Sequence, residues 1–117
     1  MPGDVTVYFN PRCSKCRTAW SLLEERGADA RQYRYLEQRP DRAEIERVMA
    51  LLGIDDPRRM MRTGEDVYRV LDLGDADRET LLQAMVDHPI LIERPIVIRG
   101  DRAVIARPPE RVAELFD

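Results

Sequence analysis

The chain has 117 residues, 19 Lys and Arg against 22 Asp and Glu, a formal net charge of −3, and two cysteines. A chain of this length buries about two-thirds of its unfolded surface, enough for one self-supporting core and not for two, so it reads as one domain over residues 1–117. Its mild acidity argues against nucleic acid or an anionic membrane as a partner, because such surfaces are met by a marked basic excess.

The amino terminus carries an early acid, Asp4, and an apolar run of only five residues, too short for the core of a secretion signal. No stretch approaches the roughly 18 apolar residues that span a bilayer, so a cytoplasmic protein without membrane contact is expected. Val5-Thr6-Val7-Tyr8-Phe9 is β-branched and aromatic and is stopped by Asn10-Pro11, which predicts a short buried strand. From Ser14 to Glu25, Ala19, Leu22 and Leu23 with Trp20 recur at helical spacing, and Gly27 stands just past the end. Arg31 to Leu36 reads as a second strand, parallel to the first because a helix connects them.

Asp41 can cap a helix whose Ile45, Val48, Met49 and Leu52 form one stripe, ending at Gly53. Pro57 and Asp66 open two short helical segments. Asp77 to Val86 is another, with Leu81, Leu82 and Met85 inward and His88-Pro89 at its end. Ile96-Val97-Ile98 and Ala103-Val104-Ile105 flank Gly100-Asp101, a hairpin pattern. Pro108-Pro109 then starts a terminal helix with Val112, Leu115 and Phe116 inward. The order is β-α-β, a helical block over about 41–88, then β-β-α. This is the α/β order of a thioredoxin-like core with a helical insertion between its halves. Met49, Met60, Met61 and Met85 read as core, and Tyr8, Tyr33 and Tyr35 as strand residues.

The spacing Cys13-Ser-Lys-Cys16 points to redox or metal chemistry. A zinc shell needs four ligands, and His88 is the lone histidine, so one chain cannot complete a Cys/His shell and no metal is expected. Cys13 falls at the helix start, where free amides and the macrodipole favour a thiolate. Arg12, Lys15 and Arg17 add positive charge nearby, which makes Cys13 the candidate nucleophile. Cys16, one turn on, has its Cβ about 5–6 Å away, wider than a relaxed disulfide allows. A strained disulfide is readily reduced, as a catalytic cycle requires. The plainer alternative, two small buried hydrophobes, leaves the turn, the helix start and the local charge as coincidence.

Eighteen of the basic residues are Arg and one is Lys15, an asymmetry that codon usage explains as well as chemistry does. Three stand in apolar or proline-rich contexts: Arg62 after Met60-Met61, Arg94 before Pro95, and Arg107 before Pro108. Guanidinium forks and a helix start both bind tetrahedral oxyanions, so together they suggest an oxyanion pocket. For any one of them an exposed surface charge is the competing explanation.

Nearly the whole chain, Val5 to Phe116, resembles the thioredoxin-fold arsenate reductase family, which includes glutaredoxin-coupled enzymes and Spx-type regulators. The segments that carry the resemblance are Tyr8-Phe9-Asn10-Pro11-Arg12-Cys13, Tyr35-Leu36-Glu37, Met61-Arg62, His88 to Val97, and Ala106-Arg107-Pro108. The resemblance implies Cys13 as the nucleophile, Arg62, Arg94 and Arg107 as ligands of the arsenic oxyanion, and a cis peptide before Pro95. Arsenate would be attacked by Cys13. In the simplest reading Cys16 then resolves the adduct to a Cys13-Cys16 disulfide that thioredoxin reopens; if a small thiol attacks the adduct first, Cys16 is dispensable and a glutathione/glutaredoxin-type system finishes the cycle. No bound cofactor is implied, only an external thiol reductant, and the enzyme is expected to be a monomer.

Two departures matter. Glutaredoxin-dependent members commonly lack a cysteine where Cys16 stands, and many carry a His where this chain has Phe9. The first rival reading is an Spx-type redox-sensing regulator that binds RNA polymerase, against which Arg107-Pro108 and the lack of a basic tail argue. The second is a general thiol-disulfide oxidoreductase, which leaves the helical block and the three arginines without a purpose.

Overall fold

The computed structural model describes residues 4–116. Met1-Pro2-Gly3, part of the segment inspected for a leader, and Asp117 lie outside that range. The chain divides into two compact units. One combines the residues up to Gln38 with those from Arg94 onward, and the other is Arg39–Glu93, close to the predicted helical insertion.

The first unit is built on a four-stranded sheet of β1 (Val5–Tyr8), β2 (Ala30–Tyr33), β3 (Ile96–Arg99) and β4 (Arg102–Ile105), in the order β2-β1-β3-β4. β1 pairs parallel to β2, with Val5 opposite Ala30, and antiparallel to β3, with Val7 opposite Val97. β3 and β4 form the predicted hairpin. Its turn uses Gly100 at φ 60°, a left-handed value that glycine adopts without steric cost. The helix α1 (Ser14–Glu25) connects β1 to β2.

Because successive strand residues face opposite sides, β1 sends Val5 and Val7 into one core with Cys16, Ala19 and Leu23 of α1 and Val112 and Leu115 of the terminal segment. Tyr8 is fully buried with its ring 4.8 Å from that of Tyr33 and 5.8 Å from that of Tyr35. Burial of each large apolar side chain in this core contributes roughly 1.5–3 kcal/mol.

Two elements differ in kind from the sequence reading. The second strand stops at Tyr33, and Tyr35 opens the short helix α2 (Tyr35–Gln38). The Gln38 side chain accepts from the Arg34 amide at 3.1 Å, and the Glu37 and Gln38 amides donate to the Arg34 carbonyl, which closes a turn where a strand would have continued. The terminal helix, Pro109–Phe116, is 3-10. Its last carbonyls are drawn to the strands: Arg99 Nη1 donates to Leu115 O at 3.0 Å and Arg102 to Glu114 O.

The second unit contains α3 (Arg42–Leu52), α4 (Asp66–Val70) and α5 (Arg78–Asp87), with 3-10 turns at Pro57–Met60, Leu73–Asp75 and Pro89–Leu91. Asp41 caps α3 by accepting from the Glu44 amide at 2.9 Å, and Gly53 ends it at φ 72°. Ile45, Val48 and Met49 of α3 and Leu81, Leu82 and Met85 of α5 are buried, as are Met60 and Met61. Among the described residues no helix is long and apolar enough to cross a membrane.

Candidate active site

The loop after β1 sets the position of the first cysteine. Asn10 does this twice: its carbonyl accepts from the Cys13 amide at 2.9 Å, and its side chain accepts from the Arg12 amide at 3.0 Å. Cys13 is thereby held in an extended conformation as the N-cap residue of α1, and its carbonyl accepts the first helical bond, from the Arg17 amide. Both cysteines are free thiols. Cys13 keeps 8% of its surface exposed, whereas Cys16 has none.

The two thiols have opposite proton affinities. Burial pushes Cys13 up, but the amide and thiol of Cys16, together with a hydrogen bond and the charge of the Arg94 guanidinium, outweigh it and hold Cys13 below the ordinary thiol value. Cys16 is pushed up to about 12, chiefly by burial and then by the neighbouring Cys13 sulfur; the Asn10 amide and Arg94 offset this only in part. Of the two thiols, Cys13 is therefore the one that ionises first, and Cys16 the one that keeps its proton.

A cation acting on Cys13 that the sequence reading assigned to the oxyanion alone is Arg94. Arg12 and Lys15 are exposed, and Arg17 Nη1 donates instead to the Pro11 carbonyl at 2.8 Å. Arg94 leads into a cis peptide with Pro95, as expected, and a second cis bond joins Arg107 to Pro108. Arg107 Nη1 donates to the Arg94 carbonyl at 2.9 Å, and the Pro95 carbonyl accepts from the Ala106 amide at 2.9 Å. These contacts tie the 94–95 and 106–107 segments together beside the hairpin. Arg94 Nε is buried with no hydrogen-bond partner, an uncommon condition for a charged group. A guanidinium with an unanswered donor, next to a thiol whose ionised form it favours, is suited to receive an anionic oxygen.

Cys13, Arg94 and Arg107 are thus gathered within the sheet unit. Arg62 belongs to the helical unit. Its amide donates to Leu91 O at 2.7 Å, beside a bridge between Met61 and Ile92. Its guanidinium is ion-paired with Glu65 and has its Nε 3.9 Å from Glu93 Oε1. Sequence reasoning passed over Glu65, Glu93 and the Asn10 side chain; the three-residue spacing of Arg62 and Glu65 was the available signal.

Phe9 occupies the position where many relatives of the resembled family carry His. It is 6% exposed, with the Trp20 ring edge-on at 5.9 Å and the Arg34 guanidinium 5.7 Å from its centroid. A cleft of about 540 Å³ lies within the helical unit, lined by residues including Leu73, Thr80, Gln83 and His88, and no cysteine borders it.

The model of the ArsC family matches residues 8–115. An uncharacterized protein, YfgD, from Escherichia coli K12 is 44% identical over 98% of each chain. The arsenate reductase of Haemophilus influenzae is 44% identical over 97% of this chain and 99% of its own. Among solved structures, an arsenate reductase from Vibrio cholerae superposes with a TM-score of 0.93 at 42% identity, covering 97% of this chain and 98% of that one.

Proposed function

The chain belongs to the ArsC family, and from that premise we propose that it reduces arsenate to arsenite, with Cys13 as the nucleophile. The observation that carries the reading is the Cys13 thiol at a helix start, held below its ordinary value beside an arginine with an unpartnered Nε. Two relatives that match over nearly their full length bear the name arsenate reductase, which favours this activity over an Spx-type regulator.

In the proposed reaction, Arg62, Arg94 and Arg107 bind the arsenate oxygens while the Cys13 thiolate attacks arsenic(V). One oxygen takes up protons and leaves as water. Cys16 then attacks the Cys13 sulfur, the sulfur–arsenic electron pair passes to arsenic, and arsenite departs from a Cys13-Cys16 disulfide. Formation of the adduct removes the Cys13 thiolate, one of the causes of the high proton affinity of Cys16, so the second thiol becomes easier to ionise when it is needed. Pro95 and Arg107 support the position of Arg94, and Arg12 and Arg17 sit at the mouth of the helix start. Thioredoxin is the proposed reductant, acting on a monomer in the reducing cytoplasm.

A second reading has its own support. Cys16 is fully buried and held at about 12, a poor nucleophile at neutral pH, whereas an external thiol needs only the adduct on Cys13. Glutathione with glutaredoxin would then complete the cycle. NADPH-coupled arsenate reduction, run in parallel with thioredoxin and glutaredoxin systems on wild type and Cys16→Ser, separates the two. Loss of thioredoxin-coupled turnover in Cys16→Ser is expected; full turnover sinks the intramolecular disulfide. No arsenate-dependent NADPH use with either system, combined with copurification of RNA polymerase, would transfer the assignment to the regulator.

A further inference from the structure

We propose that Glu65 is a positioning residue for oxyanion binding, which fixes the Arg62 guanidinium in the orientation that receives the substrate. The inference rests on the assignment of Arg62 as an arsenate ligand.

The backbone around Arg62 is fixed on two sides. The Arg62 amide donates to Leu91 O at 2.7 Å and the Glu93 amide donates to Met60 O at 2.8 Å, so residues 60–62 and 91–93 form a short antiparallel ladder around the Met61–Ile92 bridge. A rigid backbone still leaves a long side chain free to adopt many rotamers. Glu65 removes that freedom. Its amide donates to the Arg62 carbonyl at 3.1 Å, closing a turn that places its carboxylate against Arg62 Nη1. Glu93 Oε1 stands 3.9 Å from Nε on the same guanidinium. The three side chains are only 26%, 23% and 24% exposed, so solvent screens these pairs less than it does ordinary surface pairs.

A planar fork carries five N–H donors, and the two carboxylates address Nη1 and Nε, which leaves donor capacity for a further oxygen. Elsewhere in the helical unit the arginine-carboxylate pairs are more exposed: Arg69 and Asp66 are 75% and 94% exposed. The pairing at Arg62 is therefore an enclosed, geometrically fixed arrangement around one guanidinium. Prior fixing of a ligand-binding side chain lowers the ordering cost when substrate arrives.

The test compares steady-state constants of Glu65→Ala, Glu65→Gln, Glu65→Asp and Arg62→Ala, with inorganic phosphate as a competing oxyanion. Glu65→Ala should raise the KM for arsenate and the inhibition constant for phosphate about tenfold, with kcat changed by less than about twofold. Glu65→Gln retains an acceptor oxygen at the same reach and should recover most of the loss. Glu65→Asp retains the charge, withdraws the oxygen by one methylene and should not; it also supplies the answer if Glu65→Ala fails to fold. Unchanged or lower KM in Glu65→Ala, or recovery by Asp rather than Gln, overturns the proposal. If Arg62→Ala raises KM while the Glu65 variants do not, only the positioning role falls. If Arg62→Ala leaves both constants unmoved, the substrate assignment of Arg62 falls and the positioning role with it.

Discussion

The two units treat their hydrogen-bond donors differently. In the helical unit the two long helices and one 3-10 turn have their starts answered in advance: Asp41 accepts from the Glu44 amide, Asp77 from the Thr80 amide, and Asp56 from the Arg58 amide, whereas the short α4 starts at Glu65 without a side-chain cap. Arg58 donates to the carbonyls of Leu73, Gly74 and Ala76, and Arg62 is held by carboxylates. In the sheet unit α1 begins at Cys13 with no side-chain cap bond, and the neighbouring Arg94 has a buried Nε without a partner. Leaving a buried donor unsatisfied costs about 1–3 kcal/mol, so the sheet unit gives up stability at the place proposed to bind an oxyanion. The Cys16 amide that no side chain has claimed is one of the groups that hold the Cys13 thiolate.

The strongest way to break this contrast is at the thiol itself. Cys13→Ser should reduce arsenate turnover by at least about a thousandfold with an unchanged circular dichroism spectrum, because the hydroxyl lacks the accessible anion that the open donors stabilise. Residual turnover near the wild-type rate would mean that the uncapped helix start has no role in the chemistry.

Next in size is Arg94→Ala. Loss of one preorganised donor to an oxyanion costs about a hundredfold to a thousandfold in rate, and a fall of that order in kcat/KM is expected. The same variant should alter the thiol directly. Arg94 favours the charged form of Cys13, so without it the folded-state pKa rises, and the pH at which iodoacetamide alkylation is half-maximal moves upward. An unmoved alkylation profile would show that burial, the Cys16 contacts and the helix start set the thiol without the arginine.

Much of this division was legible in the sequence, and the omissions have physical causes. Asp41 and Gly53 mark the ends of α3 because a carboxylate cap and a left-handed glycine are local devices, decided within a few residues. Cys13 at a helix start was readable for the same reason: strand, Asn-Pro turn and helix are contiguous. Tyr35 misled, since its aromatic character fits a strand, yet the turn is decided by Gln38 reaching back to the Arg34 amide. Along the chain the charges nearest Cys13 are those of Arg12, Lys15 and Arg17, whereas the contribution of Arg94 depends on the sheet that brings a distant segment beside the thiol. Glu65 escaped notice because an acid three residues from an arginine reads as solvated surface until its low exposure is known. Contacts made between distant segments are the part a linear pattern does not carry.

The smallest expected effect sharpens the contrast from the other side. Asp77 is a donor-answering residue with no assigned part in the chemistry: its side chain accepts from the Thr80 amide at 2.8 Å at the start of α5. The Thr80 side chain and then its amide hold the Asp77 carboxyl below the usual carboxylate range. A depressed acid stabilises the folded state above the unfolded-state pKa, and that contribution is lost as pH falls through the lower folded-state value. Asp77→Ala should therefore lower Tm by about 4 °C at neutral pH, with the gap from wild type closing on acidification. Turnover at 25 °C and the Cys13 alkylation profile should remain within about twofold of wild type, since a capped helix start contributes stability alone. A loss of turnover alongside the loss of Tm would show that the capped helix starts of the helical unit also serve the chemistry, and the contrast would have to be drawn elsewhere.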